Sequence, residues 1–468
     1  MKFLTVKSRS QAGSVLLVSL MVTAILGLTI ASYLLMAQQQ NQSVMRSQVW
    51  NSAIVMSEAG VEDALAMLNK FNSNFEKLTN WSSSSSISSD NWTAISANTF
   101  YVRRYISDSY YDVYVTNVGN TPIINAIGYT PWTYNGGNAP KQTYAAIGNL
   151  GEAGPVLTRR GVGVNTRIDP LFNVAMAALE QIDFNGKNVQ TDSYDSSNPL
   201  YSDGGLYPAA FPDRQRDNGD VVTDLAIINS LSVGNAKIKG QAKTGPNGTL
   251  AIGNGSVGGK AWVEGGNIGV QPGHFADDMN VLFPPVQLPS TTWYAVSYYS
   301  AGVDIDGVTY NWVINGDGDY YISDLSKPLH VTGNVRLLIT SKIALNGAND
   351  SIYISLGSTL KLYMYGATAA IGGLGVVNPS GNAANFYYFG LPSNTKLTFG
   401  GNNSFYGVIY APQAAFALGG GGSDVYDFVG SSVTRSVRMN GHYNFHYDEA
   451  LKNNGMGRGY IPTSWKEM

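Results

Sequence analysis

The residues in this chain best suited to holding a metal ion lie near its C-terminal end. His442 and His446 stand four apart in HYNFHYDEA, with Asp448 and Glu449 just beyond. Positions four apart in an extended strand share one face. The two imidazoles, with Asp448 as a third ligand, therefore present the donors of a divalent-metal site. The same segment also reads as a closing strand, in which Tyr443 and Phe445 supply aromatic packing.

Oxygen donors recur elsewhere: Asp192 with Asp195, Asp304 with Asp306, and Asn315 with Asp317 and Asp319. These are the ligand types of Ca²⁺, but NGDGDYYISD lacks the glycine offset and closing Glu of an EF-hand, and Asp or Asn beside Gly forms turns. The glycine run Gly419 to Gly422 has no Lys-Ser or Lys-Thr after it and opens no helix, so it reads as a corner rather than a phosphate loop. No nucleophile elbow, H-E-x-x-H or nucleotide fingerprint appears,. No catalytic residue and no cofactor is expected.

Composition narrows the elements that must carry these residues. Charged side chains make up 13% of the 468 residues, beside 53 Gly and 29 Tyr, with no Cys. Low charge and many glycines favour β-structure with tight turns. The missing Cys excludes disulfides and thiolate chemistry. A net charge of −3, with no basic run after the first residues, excludes the phosphate-neutralising surface that nucleic acid requires.

The N-terminal end reads as an anchor. Val15 to Met36 contains no charged residue and as a helix would span about 33 Å, enough for a bilayer core. Lys2, Lys7 and Arg9 precede it without an acid, which keeps residues 1–13 in the cytoplasm and sends the bulk outward. The helical pattern then continues: Trp50, Ile54, Val61, Leu65 and Leu68 share one face, with Glu58 and Glu62 stacked on another,.

The stretches SQAGSVLLVSLMVTAILGLTIASYLLMAQQQ and VWNSAIVMSEAGVEDALAMLN resemble the N-terminal region of PilX-type minor pilins. That resemblance implies that Gly13 ends a leader, that prepilin peptidase cuts between Gly13 and Ser14, and that the partners are inner-membrane lipid, other pilins and the pilus assembly machinery. Major pilins carry Glu at the fifth mature position, here Val18, so the resemblance implies a minor rather than a major subunit. Later stretches, including DDMNVLFPPV and FYGVIYAPQAAFALGGGG, look like a β-helical domain of unestablished activity found behind such N-termini.

The expected organisation is a leader at 1–13, a transmembrane helix at 14–36, its continuation to 72, and a small antiparallel β domain at 73–168 that begins with a Ser-rich linker. TFYVRRYIS, YYDVYVTNVG, PIINAIGYTPW and TRRGVGVNTRI alternate as its strands. Short apolar runs ending in Gly or Asn then fit a right-handed parallel β-solenoid at 169–452. An excursion interrupts it at about 270–327, and 453–468 forms a tail. The expected fold is mainly β, and the expected role is a membrane-anchored structural or adhesive protein of a type IV pilus or pseudopilus, with surface glycans as further partners. The alternatives are a signal-anchored glycan-binding protein and a β-helical polysaccharide lyase or hydrolase.

Overall fold

The computed structural model describes residues 12–69, 91–96, 98–117, 121–132, 157–184, 189–226, 231–419, 424–439, 443–453 and 457–468. Most of the basic leader, most of the Ser-rich linker and His442 lie outside these residues. The chain is mainly β with one long N-terminal helix, and it divides into two compact units.

The first unit comprises Met1–Leu68, Leu78–Arg167 and Ile461–Met468. Its helix, α1 (Ala12–Asn69), is 58 residues long, or about 87 Å. From Val15 through Met36 its apolar side chains are exposed, and this part is long and apolar enough to cross a membrane. From Val49 on, one face is buried, with Ala53, Ser57, Val61, Ala64, Met67 and Leu68 recurring at helical spacing,. That face lies on strands β1 (Thr93–Ser96), β2 (Thr99–Ile106), β3 (Ser109–Thr116), β4 (Ile123–Pro131) and β5 (Leu157–Pro170), each antiparallel to the next.

Contact between α1 and the sheet is close enough to need small residues. A Cβ on Gly128 of β4 would lie 2.2 Å from the Ala53 carbonyl oxygen and 2.6 Å from the Ser57 nitrogen. Ser57 uses this proximity: its hydroxyl donates to the Arg160 carbonyl at 2.7 Å and accepts the Gly128 N–H at 3.0 Å. Asp63 reaches Arg104 at 2.6 Å and Tyr111 at 3.3 Å. The expected C-terminal tail is corrected here. The strand Gly457–Glu467 extends the sheet beside β5, with Met468 N–H on the Gly161 carbonyl at 2.9 Å and Glu467 paired with Arg160. Its β-favouring Tyr460, Ile461 and Trp465 suit a strand as well as a tail,.

The second unit comprises Asn69–Lys77 and Ile168–Tyr460. Most of its strands pair in parallel and stack in three ladders, while Val308–Asn315, Leu329–Thr332, Ser351–Ile354 and Gly375–Val377 form a separate parallel sheet edged by the antiparallel strand Tyr298–Ile305. One ladder runs Tyr294–Ala295, Gly318–Leu325, Asn334–Leu345, Thr359–Met364, Phe386–Gly390, Phe405–Leu418 and Tyr426–Met439. It continues through Met176–Ala178, Val221–Thr223, Ala242–Lys243 and Phe275–Ala276. The second passes from Lys342–Leu345 to Leu250–Ile252 in the same order. The third joins Tyr426–Val429, Tyr443–Asp448, Gln190–Tyr194, Lys237–Lys239, Ser256–Gly258 and Gly269–Val270.

The order has an unexpected feature: the chain enters the stack in its middle. Met176–Ala178 pairs with Val221–Thr223 on one side and with Ser432–Thr434, more than 250 residues later in sequence, on the other. From residue 176 the chain advances to one end of the stack at Phe275–Ala276. It then crosses to the opposite end at Tyr294 and advances back until its last strands meet the first.

Residues 277–293 make that crossing as an extended strap. Met279 N–H binds the Thr244 carbonyl, Val281 N–H binds Asp224, Tyr410 donates to the Pro284 carbonyl, and Thr291 donates to Asp319. From Thr244 to Asp319 is about eight ladder steps, or about 38 Å at roughly 4.8 Å each. The dozen residues from Met279 to Thr291 span about 40 Å when extended. Length and distance match, and the prolines of FPPVQLP hold the strap extended. The expected excursion at about 270–327 is therefore narrower in fact, because Tyr298–Ile305, Val308–Asn315 and Gly318–Leu325 are strands of the sheets.

One apolar core runs through the stack. Rings stack along it from rung to rung, Phe405 on Phe428 at 4.4 Å and Phe428 on Phe445 at 4.3 Å. Gly430, at φ 145°, passes Gly407 so closely that a Cβ would lie 1.8 Å from its carbonyl oxygen, so no other residue fits that corner.

Candidate functional site

The strand Tyr443–Asp448 closes the stack, and its alternation decides what each residue does. Tyr443, Phe445 and Tyr447 are fully buried in the core, where the Tyr447 hydroxyl donates to the Phe172 carbonyl at 2.9 Å. Asn444, His446 and Asp448 take the other face, which the loop at 195–217 covers. His446 pairs in register with Asp192 of the strand Gln190–Tyr194, which comes 254 residues earlier in the chain.

His446 lies between two carboxylates. Its Nδ1 is 2.5 Å from Asp192 Oδ1 and its Nε2 is 3.2 Å from Asp427 Oδ1. Tyr207 stacks on the imidazole with ring centroids 3.6 Å apart and donates to Asp192 Oδ2 at 2.9 Å. Lys239 adds a cation 3.8 Å from Asp192 and 3.0 Å from Glu264. Burial opposes the imidazolium, yet the carboxylates of Asp192 and Asp427 outweigh it and raise the His446 pKa to about 9. Burial, then Asp192, pushes the Tyr207 hydroxyl far above its ordinary range. His446 is therefore a fixed cation at neutral pH, with both ring nitrogens engaged.

Asp448 and Glu449 fasten the same seam. Asp448 accepts the backbone N–H groups of Ser196 at 3.1 Å and Ala450 at 3.0 Å, and its burial raises its pKa. Glu449 accepts from Ser193 at 2.9 Å and Asn218 at 2.6 Å and pairs with Arg216 at 3.2 Å. Of the predicted metal ligands, His446 and Asp448 share a strand face but bind different partners, and His442 lies outside the described residues. Among the described residues, no group of three His, Cys, Asp or Glu is placed to hold a metal ion.

The other candidates occupy turns and pairs. Asp304 accepts the Gly307 N–H and Asp195 the Ser197 N–H. Asp319 grips Arg336 with both oxygens, and that hydrogen bonding lowers its pKa. Gly13 and Ser14 lie in the first turns of α1, and Val18 is exposed on it. Sequence reading missed Asp427, Tyr207 and Lys239, because nothing local links residues 239, 427 and 446.

Beside this cluster opens a cleft of about 360 Å³, between the loop carrying Leu206 and Tyr207 and the rungs carrying Val377, Ser404, Tyr406 and Asp427. Asp427 and Tyr207 are common to the cleft and the His446 cluster, and the side chain of Asp427 is 34% exposed. Burial, then Asp427, raises the pKa of Tyr406 at the cleft wall.

Residues 296–454 match the model of a domain of unknown function, DUF7305. The match takes in His446 and Asp427 but stops short of Asp192, Tyr207 and Lys239. No curated protein matches the chain. Among solved structures, the crystal structure of the competence-associated pilin ComZ from Thermus thermophilus aligns at 10% identity, covering 90% of this chain and 97% of that one, with a TM-score of 0.26. A TM-score of that size supports no inference about fold or role.

Proposed function

We propose that this chain is a membrane-anchored, pilin-like structural protein that carries a right-handed parallel β-solenoid outside the cytoplasmic membrane, as a minor component of a type IV pilus or pseudopilus. One observation carries the reading. A single unbroken helix is bare and apolar along Val15–Met36 and buried on an antiparallel sheet from Val49 onward. A soluble protein has no use for such a bare span, since leaving it in water forfeits about 25 cal/mol for each Å² of apolar surface. Lipid before assembly, and neighbouring helices after it, would cover it.

Three parallel ladders visited in a fixed order support the solenoid, and the basic leader supports its outward placement. With Val18 in place of an acid, no buried carboxylate draws a neighbouring amino terminus, which fits a rare subunit. Adhesion is the proposed use of the displayed surface, without catalysis: His446 carries no free nitrogen to serve as a base,. Processing provides the test. Gly13→Leu expressed with prepilin peptidase should give only the uncleaved, membrane-retained form, while the unaltered chain begins at Ser14. Equal processing of both, or of neither, overturns the reading.

A further inference from the structure

The cleft beside His446 has a chemistry of its own. Its walls combine aliphatic and aromatic surface from Leu206, Val377, Tyr207 and Tyr406 with the carboxylate of Asp427 and the hydroxyl of Ser404. At about 360 Å³ it lies at the small end of ligand pockets, which begin at roughly 300 Å³. It therefore admits one compact ring rather than an extended polymer.

Charge decides among small ligands. Asp427 is the acid of the cleft, and one of its oxygens already accepts from His446. Among the described residues, its other oxygen has no hydrogen-bond partner. Because His446 stands against Asp427 as well as Asp192, while Lys239 is taken up by Asp192 and Glu264, the carboxylate at the wall is compensated from behind by the imidazolium. A compensated carboxylate attracts a free cation weakly, and it repels an anion, yet it remains a strong acceptor for a neutral hydroxyl. The imidazolium holds it in place, so little is lost in ordering it when a ligand arrives.

We propose that this cleft binds a single neutral saccharide ring, its apolar face against Tyr406 and Leu206 and two or more hydroxyls on Asp427 and Ser404. The site lies wholly within the second unit and does not depend on the membrane anchor. Its failure would leave the pilin-like reading standing.

The test uses the full chain solubilised in lauryldimethylamine oxide, a detergent without a sugar headgroup. Saturation-transfer NMR is run with glucose, galactose, mannose and N-acetylglucosamine, and with n-butylammonium as a cation probe. At least one sugar should bind and n-butylammonium should not. Asp427→Asn should weaken that sugar about tenfold through loss of the charged acceptor. Ala209→Trp, placed on the exposed rim of the cleft, should abolish binding without touching the His446 cluster, with unfolding temperature unchanged. Binding of no sugar, sugar binding indifferent to Ala209→Trp, or preference for n-butylammonium would each overturn the proposal.

Discussion

Two regions of this molecule invert the usual placement of side chains, and they do so in opposite directions. Along Val15–Met36 the apolar residues face outward. Around His446 it is charge that faces inward, with Asp192, Lys239 and His446 each less than a tenth exposed. Each inversion implies a particular surrounding. Bare leucines imply a medium that is not water, whereas buried ions imply a network closed on itself, because an unpaired charge there would be strongly unfavourable. The first region looks for its partner outside the chain, whereas Asp192, Lys239 and His446 each find theirs within it.

The largest expected effect comes from opening the inward network. Asp192→Ala leaves His446 and Lys239 short of an anion and should destabilise the stack by about 3–5 kcal/mol, read by urea unfolding of the detergent-solubilised chain. Titration probes the same seam. The folded-state pKa of His446, about 9, lies above the roughly 6.5 of free imidazole. Its contribution is therefore complete below about pH 6.5 and is lost as the pH rises through about 9. Unfolding temperature should fall across that window, and His446→Gln should flatten the fall.

The outward region should respond in the reverse sense. Leu26→Lys should disfavour membrane insertion by about 3 kcal/mol, read as the fraction of chain resisting alkaline extraction, while the sheet beneath the second half of α1 melts unchanged. Glycine substitutions sharpen the boundary between the two halves of that helix. Gly128→Ala forces a Cβ against the backbone of α1 and should cost about 1–3 kcal/mol. Gly27→Ala meets nothing within 4 Å and should leave the fold unaltered.

Local signals made part of this legible in sequence. The uncharged run and the helical spacing beyond it announce α1, and the alternation in TFYVRRYI and YYDVYV announces β2 and β3. What stayed hidden is long-range. The partner of Tyr443–Asp448 is Gln190–Tyr194, and no periodicity reveals that the stack is entered in its middle. The cluster in HYNFHYDEA was visible as chemistry, but its use was not, because Asp192 drew attention only as a neighbour of Asp195. Strand pairing, not spacing, gives His446 its partner.

The central claim is that one helix passes from an apolar surrounding into water and onto a sheet. The chain has no Cys, so a single introduced thiol carries a single nitroxide. Leu26 and Val55 are both 53% exposed, which leaves the surrounding medium as the difference between them. With the protein in lipid vesicles, the nitroxide at Leu26→Cys should relax readily with molecular oxygen and hardly at all with a water-soluble nickel chelate. At Val55→Cys the preference should reverse. Equal access of the nickel chelate to both positions would mean that the bare span stands in water, and the membrane anchor would have to be abandoned.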